Sequence, residues 1–267
     1  MQLWTEEHFW QLLPTVFLMV VIAIILGRLL GKKPLKIRMI PFQILAVILL
    51  LAEIGKQAIS FHRGYDLYHI PFHVCSLFIF LIPAMAFYRG RYARSVRSIT
   101  CSVCVSLILF MVVYPNLIYS PDNITGFFDD YFNFHTVFSH NLVIFAFILI
   151  LALKLHSIER EQSDLKPMVL FSTSYALIAA VMSQILKTNY SNFYSCNIPP
   201  VGALVASVKA SIGNALGQLL YISVLFILHV LFFVGSYYLY LAIDRFCIAR
   251  RQREKRQKSA MYDNTVG

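Results

Sequence analysis

Apolar and polar positions alternate along this chain on the scale of a lipid bilayer. Seven apolar stretches follow one another, at approximately 12–30, 40–59, 70–88, 98–118, 134–153, 168–187 and 214–243. The first six are close to the roughly 20 residues a helix needs to cross the hydrocarbon core, where backbone groups must be satisfied within the segment, and the last is long enough to tilt or protrude. The pattern predicts an all-α membrane protein, a bundle of seven transmembrane helices. The connections alternate too. Those near 28–38, 89–97 and 154–166, with the tail 245–258, hold nearly all the lysine and arginine, including Arg38, Arg94, Arg97 and Lys154. The opposite connections, 60–69, 119–133 and 188–213, carry few basic residues and several of Asp66, Asp122, Asp129 and Asp130. Positive charge is retained on the cytoplasmic side, so the N-terminus is expected outside and the C-terminus in the cytoplasm. Glu6 and Glu7 stand where a signal peptide would have a basic region, and no small-residue cleavage site follows the first stretch; it is read as a retained helix.

Composition narrows the class further. Hydrophobic residues make up 58% and charged residues only 13% of 267, against roughly 25% charged in a soluble domain, and the mean hydropathy is +0.67. An ordinary water-soluble fold is excluded. A net charge of +10 would suit nucleic acid, but its short clusters between apolar runs are a topology signal, and no nucleic-acid partner is expected. Membrane lipids are the expected partners, together with a small-molecule or lipid ligand, and a multi-pass place in the plasma membrane follows. Neither a strong repeat nor a linker divides the chain. Residues 1–244 form the transmembrane domain and 245–267 a basic cytoplasmic tail lying near anionic headgroups.

The five cysteines suggest no disulfide: Cys75, Cys101 and Cys104 lie in apolar stretches, Cys247 in the tail and Cys196 in an outer connection. Cys101-Ser-Val-Cys104 has the spacing of a redox or metal motif but sits mid-helix without a second pair, so it is read as packing. Asn123-Ile-Thr125 and Asn189-Tyr-Ser191 match the glycosylation sequon on the expected outer side.

Candidate chemistry emerges when polar residues are placed by depth. Glu53, Lys56 and Gln57 lie at helical spacing in the outer half of the second stretch. His69 and His73 open the third, His135, Ser139, His140 and Asn141 the fifth, Gln184, Lys187 and Asn189 close the sixth, and Asn214 and Gln218 begin the seventh. Polar groups inside a bilayer are costly and face the bundle or a wet cavity, which makes them functional candidates. The expectation is one outward-opening cavity holding His73, His140, Glu53, Gln57, Gln184 and Lys187, with Asn189, Asn214 and Gln218 nearby. Interhelical pairing, for instance Glu53 with Lys56 or Lys187, is the structural alternative. His156 and His229, isolated in the pattern, are read as structural. His69, His73 and either Glu53 or His140 were the best metal ligands on offer, but Pro71 breaks regular helix between the two histidines, and neither metal nor cofactor is expected.

Three short motifs add a resemblance. Pro71-Phe72-His73-Val74-Cys75, Ser139-His140-Asn141 and Thr188-Asn189-Tyr190 occur in the order and spacing of the YwaF family of bacterial integral membrane proteins, over roughly residues 40–195. That family is similar to a eukaryotic transmembrane acyltransferase and to androgen-induced membrane hydrolases that cleave lipid esters. The resemblance implies a membrane-embedded lipid acyltransferase or ester hydrolase in which His73 and His140 are the two histidines. It departs at Phe72, where the acyltransferase has its cysteine nucleophile, and after Cys196, where the family's Trp-Pro-rich stretch is replaced by Val201–Gln218. Any nucleophile is then displaced to Cys75, Ser76 or Ser139, with His140 as base, Glu53 as an orienting carboxylate, and Lys187, Asn189 or Asn214 as oxyanion donors. Because Phe72 stands at the nucleophile position, the preferred reading is a polar cavity that binds a small molecule or lipid headgroup without chemistry, with acyl chemistry as the alternative.

A cysteine introduced into the 89–97 connection of intact cells is expected to resist an impermeant external thiol reagent and to react after permeabilisation. External labelling would reverse the assigned topology.

Overall fold

A computed structural model describes residues 4–158 and 161–266, and those residues contain helices and no strand. The helices are α1 (Glu6–Leu30), α2 (Leu35–Arg38), α3 (Ile40–His62), α4 (Leu77–Phe87), α5 (Ala93–Val113), α6 (Pro121–Thr125), α7 (Tyr131–Leu153), α8 (Glu161–Leu186), α9 (Pro199–Ile212) and α10 (Asn214–Val266). Six helical segments are long and apolar enough to span a bilayer, and two shorter apolar helices, Val74–Phe87 and Pro200–Ile212, accompany them. The chain is an all-α membrane protein.

Two expectations need correction. The stretch 70–88 is not one helix, because Pro71 lacks the N–H a continuous helix requires and biases Ile70 toward extended backbone. Ile70 has φ −63° and ψ 133°, and regular α-helix starts only at Leu77. The connection 188–213 is not simply a loop. It contains α9, started by Pro199 and Pro200 at its first turn, where a missing N–H costs nothing. The basic tail continues α10 as helix; Gly267 lies outside the described residues.

Helix α5 is the centre of the bundle, packed against α4, α7, α8 and α10. Its small residues explain this: Ser98, Thr100, Cys101, Ser102, Cys104 and Ser106 are all fully buried, and small side chains let helices approach closely where lipid supplies no hydrophobic drive between them. The Ser106 hydroxyl donates to Ser236 Oγ on α10 at 2.9 Å. The Cys101–Cys104 pair lies in this seam, as packing requires. By contrast α1 turns Phe9, Trp10, Leu13, Phe17 and Leu18 outward, a surface suited to lipid and unsuited to water.

Helices α3 and α7 run antiparallel and are fastened along their length. At one end Arg38 Nη1 donates to the carbonyls of Leu153 and Lys154, 2.7 and 3.1 Å away. At the other Arg63 pairs with Asp130 at 2.8 Å. Between them the Tyr131 hydroxyl donates to the Ala52 carbonyl at 2.9 Å. That hydroxyl occupies the space above Gly55, where a Cβ would sit 2.4 Å from it. Gly27 permits a similar approach of α1 to α7, its missing Cβ facing the Ala152 carbonyl at 3.3 Å.

At the basic end, His156 in the α7–α8 connection shares a 2.8 Å hydrogen bond with Ser98. Burial pushes its imidazole down to about 4, with Arg97 and Arg94 acting in the same direction and Asp164 opposing. In the unfolded chain the group titrates near 6.5, so between these values the unfolded state holds more protons. His156 therefore supports the fold fully above pH 6.5 and progressively less as pH falls toward 4, by at most about 3 kcal/mol. A melting series in detergent from pH 7.5 to 4.5 is expected to show this loss, and His156→Gln to flatten part of it.

Candidate functional site

After α3 the chain turns at Gly64, whose φ of +82° suits a residue without Cβ. Asp66 caps the next turn, its carboxylate accepting from the Tyr68 N–H at 2.8 Å. The backbone then runs irregularly from Ile70 to His73 and enters a second short turn, Val74–Ser76. Non-helical backbone at membrane depth is tolerated only where protein satisfies its polar groups. Here that protein is the α8–α9 side. The Tyr175 hydroxyl donates to the Phe72 carbonyl at 3.0 Å and lies 2.6 Å from Ser191 Oγ, which accepts from the Val74 N–H at 3.0 Å. Tyr190 reaches the Leu67 carbonyl, and Gln57 Nε2 donates to the His69 carbonyl at 3.0 Å. Ser191 and Asn192 adopt left-handed φ values of 50° and 66°, a conformation that costs a non-glycine residue about 1–2 kcal/mol. Turning Ser191 back toward Val74 is what it achieves.

Two chambers meet at this segment. The smaller, about 170 Å³, brings Lys56, His69, His73, His135, Ser139 and His140 together with apolar residues such as Leu49, Phe78, Phe132 and Val143. The larger, about 770 Å³, is walled by Leu107, Phe110, Leu225, Leu228, Phe232 and Phe233, with Asn189, Ser191 and Asn192 at one edge. Tyr68, His73, Cys75, Ile118 and His140 line both. The volume of the larger chamber is within the ~300–1,000 Å³ of typical ligand sites.

His140 Nδ1 lies 2.5 Å from the Thr136 carbonyl. A carbonyl only accepts, so Nδ1 carries the proton and Nε2 keeps its lone pair. That Nε2 is buried without a hydrogen-bond partner, as is Nε2 of His73. The His73 ring is held between Tyr68 and Tyr190, with centroid separations of 4.3 and 5.2 Å. A buried polar atom left unpaired costs about 1–3 kcal/mol, and two of them stand on the wall common to the chambers. Outside the helices, burial lowers the proton affinity of His69, reinforced by Lys56, while burial raises that of Tyr68, with Cys75 and Asp66 contributing.

The other expected site residues divide. Glu53 is closed in by Lys56 at 2.7 Å, Gln57 at 2.7 Å and His135 at 3.0 Å; it orients His135 and not His140, whose orienting partner is the Thr136 carbonyl. Ser139 lines the smaller chamber, but its hydroxyl donates to the His135 carbonyl at 2.6 Å. Gln184 and Gln218 form a separate contact, Gln218 Nε2 donating to Gln184 Oε1 at 3.2 Å and Gln184 Nε2 to the Phe193 carbonyl at 2.9 Å. Lys187 and Asn214 are exposed. These four line neither chamber. Residues that depth alone did not single out include Tyr175 and Tyr190, which anchor the broken segment, and His229, on the wall of the larger chamber with its ring 4.8 Å from Phe193. Among the described residues no group of three His, Cys, Asp or Glu side chains is placed to hold a metal.

The TMEM164 family profile matches residues 3–240, which takes in α1, the broken segment, both chambers and α10 as far as Tyr240. The chain belongs to the TMEM164 family. No curated protein and no solved structure matches it. In this TMEM164-family chain the Phe72 side chain packs edge-on against Tyr190 at 5.3 Å and lines neither chamber, whereas Cys75 lines both.

Tyr175→Phe is expected to lower stability by about 1–3 kcal/mol, because the buried Phe72 carbonyl loses its donor. Ser191→Ala acts on the same network, so the double variant should lose less than the sum of the single ones. Thermal melting in detergent gives both quantities; additive losses would mean that the two residues act independently.

Proposed function

We propose that this membrane protein binds an amphipathic lipid, with its polar group in the smaller chamber against Lys56, His73 and His140 and its apolar chain in the larger one. The observation that carries the reading is the pair of unpartnered Nε2 atoms on the wall shared by the two chambers. A polar group placed there would supply their missing hydrogen bonds, and a chain attached to it would find aliphatic and aromatic walls. By the lysine and arginine bias the chambers open toward the outer face.

One observation favours a second reading, acyl transfer or ester hydrolysis. Cys75 shares the wall with His140, whose tautomer leaves Nε2 free to accept a proton. In that reaction the Cys75 thiol gives its proton to His140 Nε2 and the thiolate electron pair forms a C–S bond with the ester carbonyl carbon. The ester C–O bond breaks toward oxygen, and the departing alkoxide takes the proton from His140. A second alcohol or water then releases the acyl group by the reverse sequence. Phe72 cannot replace Cys75 here, having no nucleophile and packing away from both chambers. His73 would contact the polar group, while Ser139 is occupied by the His135 carbonyl.

The test is purified protein in mixed-lipid nanodiscs, read by mass spectrometry for retained lipid and for acyl products. Wild type is expected to retain a lipid, His140→Ala to hold it about tenfold less tightly, and Leu228→Trp, which fills the larger chamber from a lipid-facing position, to exclude its chain. Acyl product that vanishes in both His140→Ala and Cys75→Ala supports the enzyme; retention without product supports binding alone. Equal retention by all variants would remove the chambers as the lipid site.

A further inference from the structure

At the opposite end of the bundle from the chambers lies a third cavity, of about 390 Å³, whose lining includes Arg38, Arg94, Arg97, Lys154, His156 and Asp244. On α7 its lining begins at Ile150, ten residues beyond His140, which is roughly 15 Å along the helix axis, and it shares no lining residue with the chambers. Its charges are unequally committed. Arg94 is taken up by Asp164, which is 1% exposed and accepts from Arg94 Nε at 3.0 Å and Nη2 at 2.9 Å. Asp244 accepts through Oδ2 from the Ser157 hydroxyl at 3.1 Å and the Ile158 N–H at 3.0 Å. His156, pushed down to about 4, adds no charge at neutral pH. Arg38 uses Nη1 to cap the last carbonyls of α7, but its Nε is buried without a partner, and so is Nε of Arg97.

A guanidinium donor that is buried and unpaired is more costly than a neutral one, and an oxyanion is its natural complement. Both arginines line one cavity, whose described lining carries Arg38, Arg94, Arg97 and Lys154 together with Asp244. Planar arginine forks match the oxygens of phosphate in geometry as well as charge. The cavity also lies at the end of the bundle carrying the basic clusters, which attract anionic headgroups.

We propose that this cup binds a phosphate oxyanion, held by Arg38 and Arg97 with Lys154 at its rim. The source is either the headgroup of an anionic lipid or a soluble phosphate compound, and the inference is independent of what the two chambers hold.

Melting of the full chain in detergent is followed during titration with inorganic phosphate and, separately, with short-chain phosphatidic acid, at constant ionic strength set with chloride. At least one ligand is expected to raise the melting temperature saturably. A response to phosphatidic acid alone assigns a lipid headgroup, and a response to inorganic phosphate assigns a soluble anion. Arg97→Gln should weaken the responding ligand about tenfold, corresponding to one lost charge-assisted hydrogen bond. Where Arg97→Gln does not fold, Lys154→Gln at the exposed rim provides the second readout, a smaller weakening of the ligand-induced shift measured from that variant's own baseline. Absence of any saturable shift with either ligand, or full retention of the shift in the folded variants, would overturn the site.

Discussion

The wall between the two chambers depends on how an irregular stretch of backbone is held among the helices. Pro71 prevents the third apolar run from being a helix along its whole length, and the carbonyls and N–H groups freed between Leu67 and Ser76 need partners elsewhere. Tyr175 and Ser191, joined to each other, take up the Phe72 carbonyl and the Val74 N–H, and Tyr190 and Gln57 take up carbonyls nearer the surface. Because the segment is extended at His73, successive side chains are sent to different sides. Phe72 lines neither chamber, while His73 and Cys75 reach the wall between them. A continuous helix would have put Phe72 and Cys75, three residues apart, on the same face.

The bundle around this break uses two different kinds of contact. Around α5, serine and cysteine let the helices close in, and the contacts are short-range packing with occasional hydroxyl bonds such as Ser106 to Ser236. Between α3 and α7 the fastening is polar and spaced along the axis, from Arg38 at one end through Tyr131 and the Glu53 cluster to Arg63 and Asp130 at the other. The second kind fixes register along the helices, which is what a site composed of residues from both requires. His140 on α7 and Lys56 on α3 reach the same chamber because the helices cannot slide.

Hydropathy predicted the long spans to within a few residues at most ends: 40–59 is Ile40–His62 and 134–153 is Tyr131–Leu153. Helices α1 and α8 begin six and seven residues earlier than 12 and 168, since their polar first turns carry no hydrophobic signal. Helix α9 was hidden because Pro199-Pro200, following Cys196 and Asn197, reads as a turn although proline at a helix start is harmless. Ordering the polar residues by position along their helices could say nothing about azimuth. His73, Cys75, Ser139 and His140 share one chamber, yet Gln184 and Gln218 meet on another side of the bundle, and Lys187 and Asn214 point out of it. The tautomer of His140 was equally invisible, for it rests on a carbonyl, which every residue possesses. Arg38 and Arg97 were legible only as topology signals until their burial gave them unpaired donors.

The hydroxyl of Tyr131 seated over Gly55 has a consequence for how sequences of this kind can diverge. A methyl group at position 55 would collide with the phenolic oxygen at 2.4 Å, and with that oxygen removed it would still lie 3.0 Å from the ring carbon that carried it, so the ring would also have to shift by a few tenths of an ångström. Positions 55 and 131 are thus tied as a pair, glycine with tyrosine or a larger residue with phenylalanine, although 76 positions separate them in the chain. An exchange of that kind gives up the bond to the Ala52 carbonyl, so a lineage that made it would have to find another way to hold α7 in register with α3.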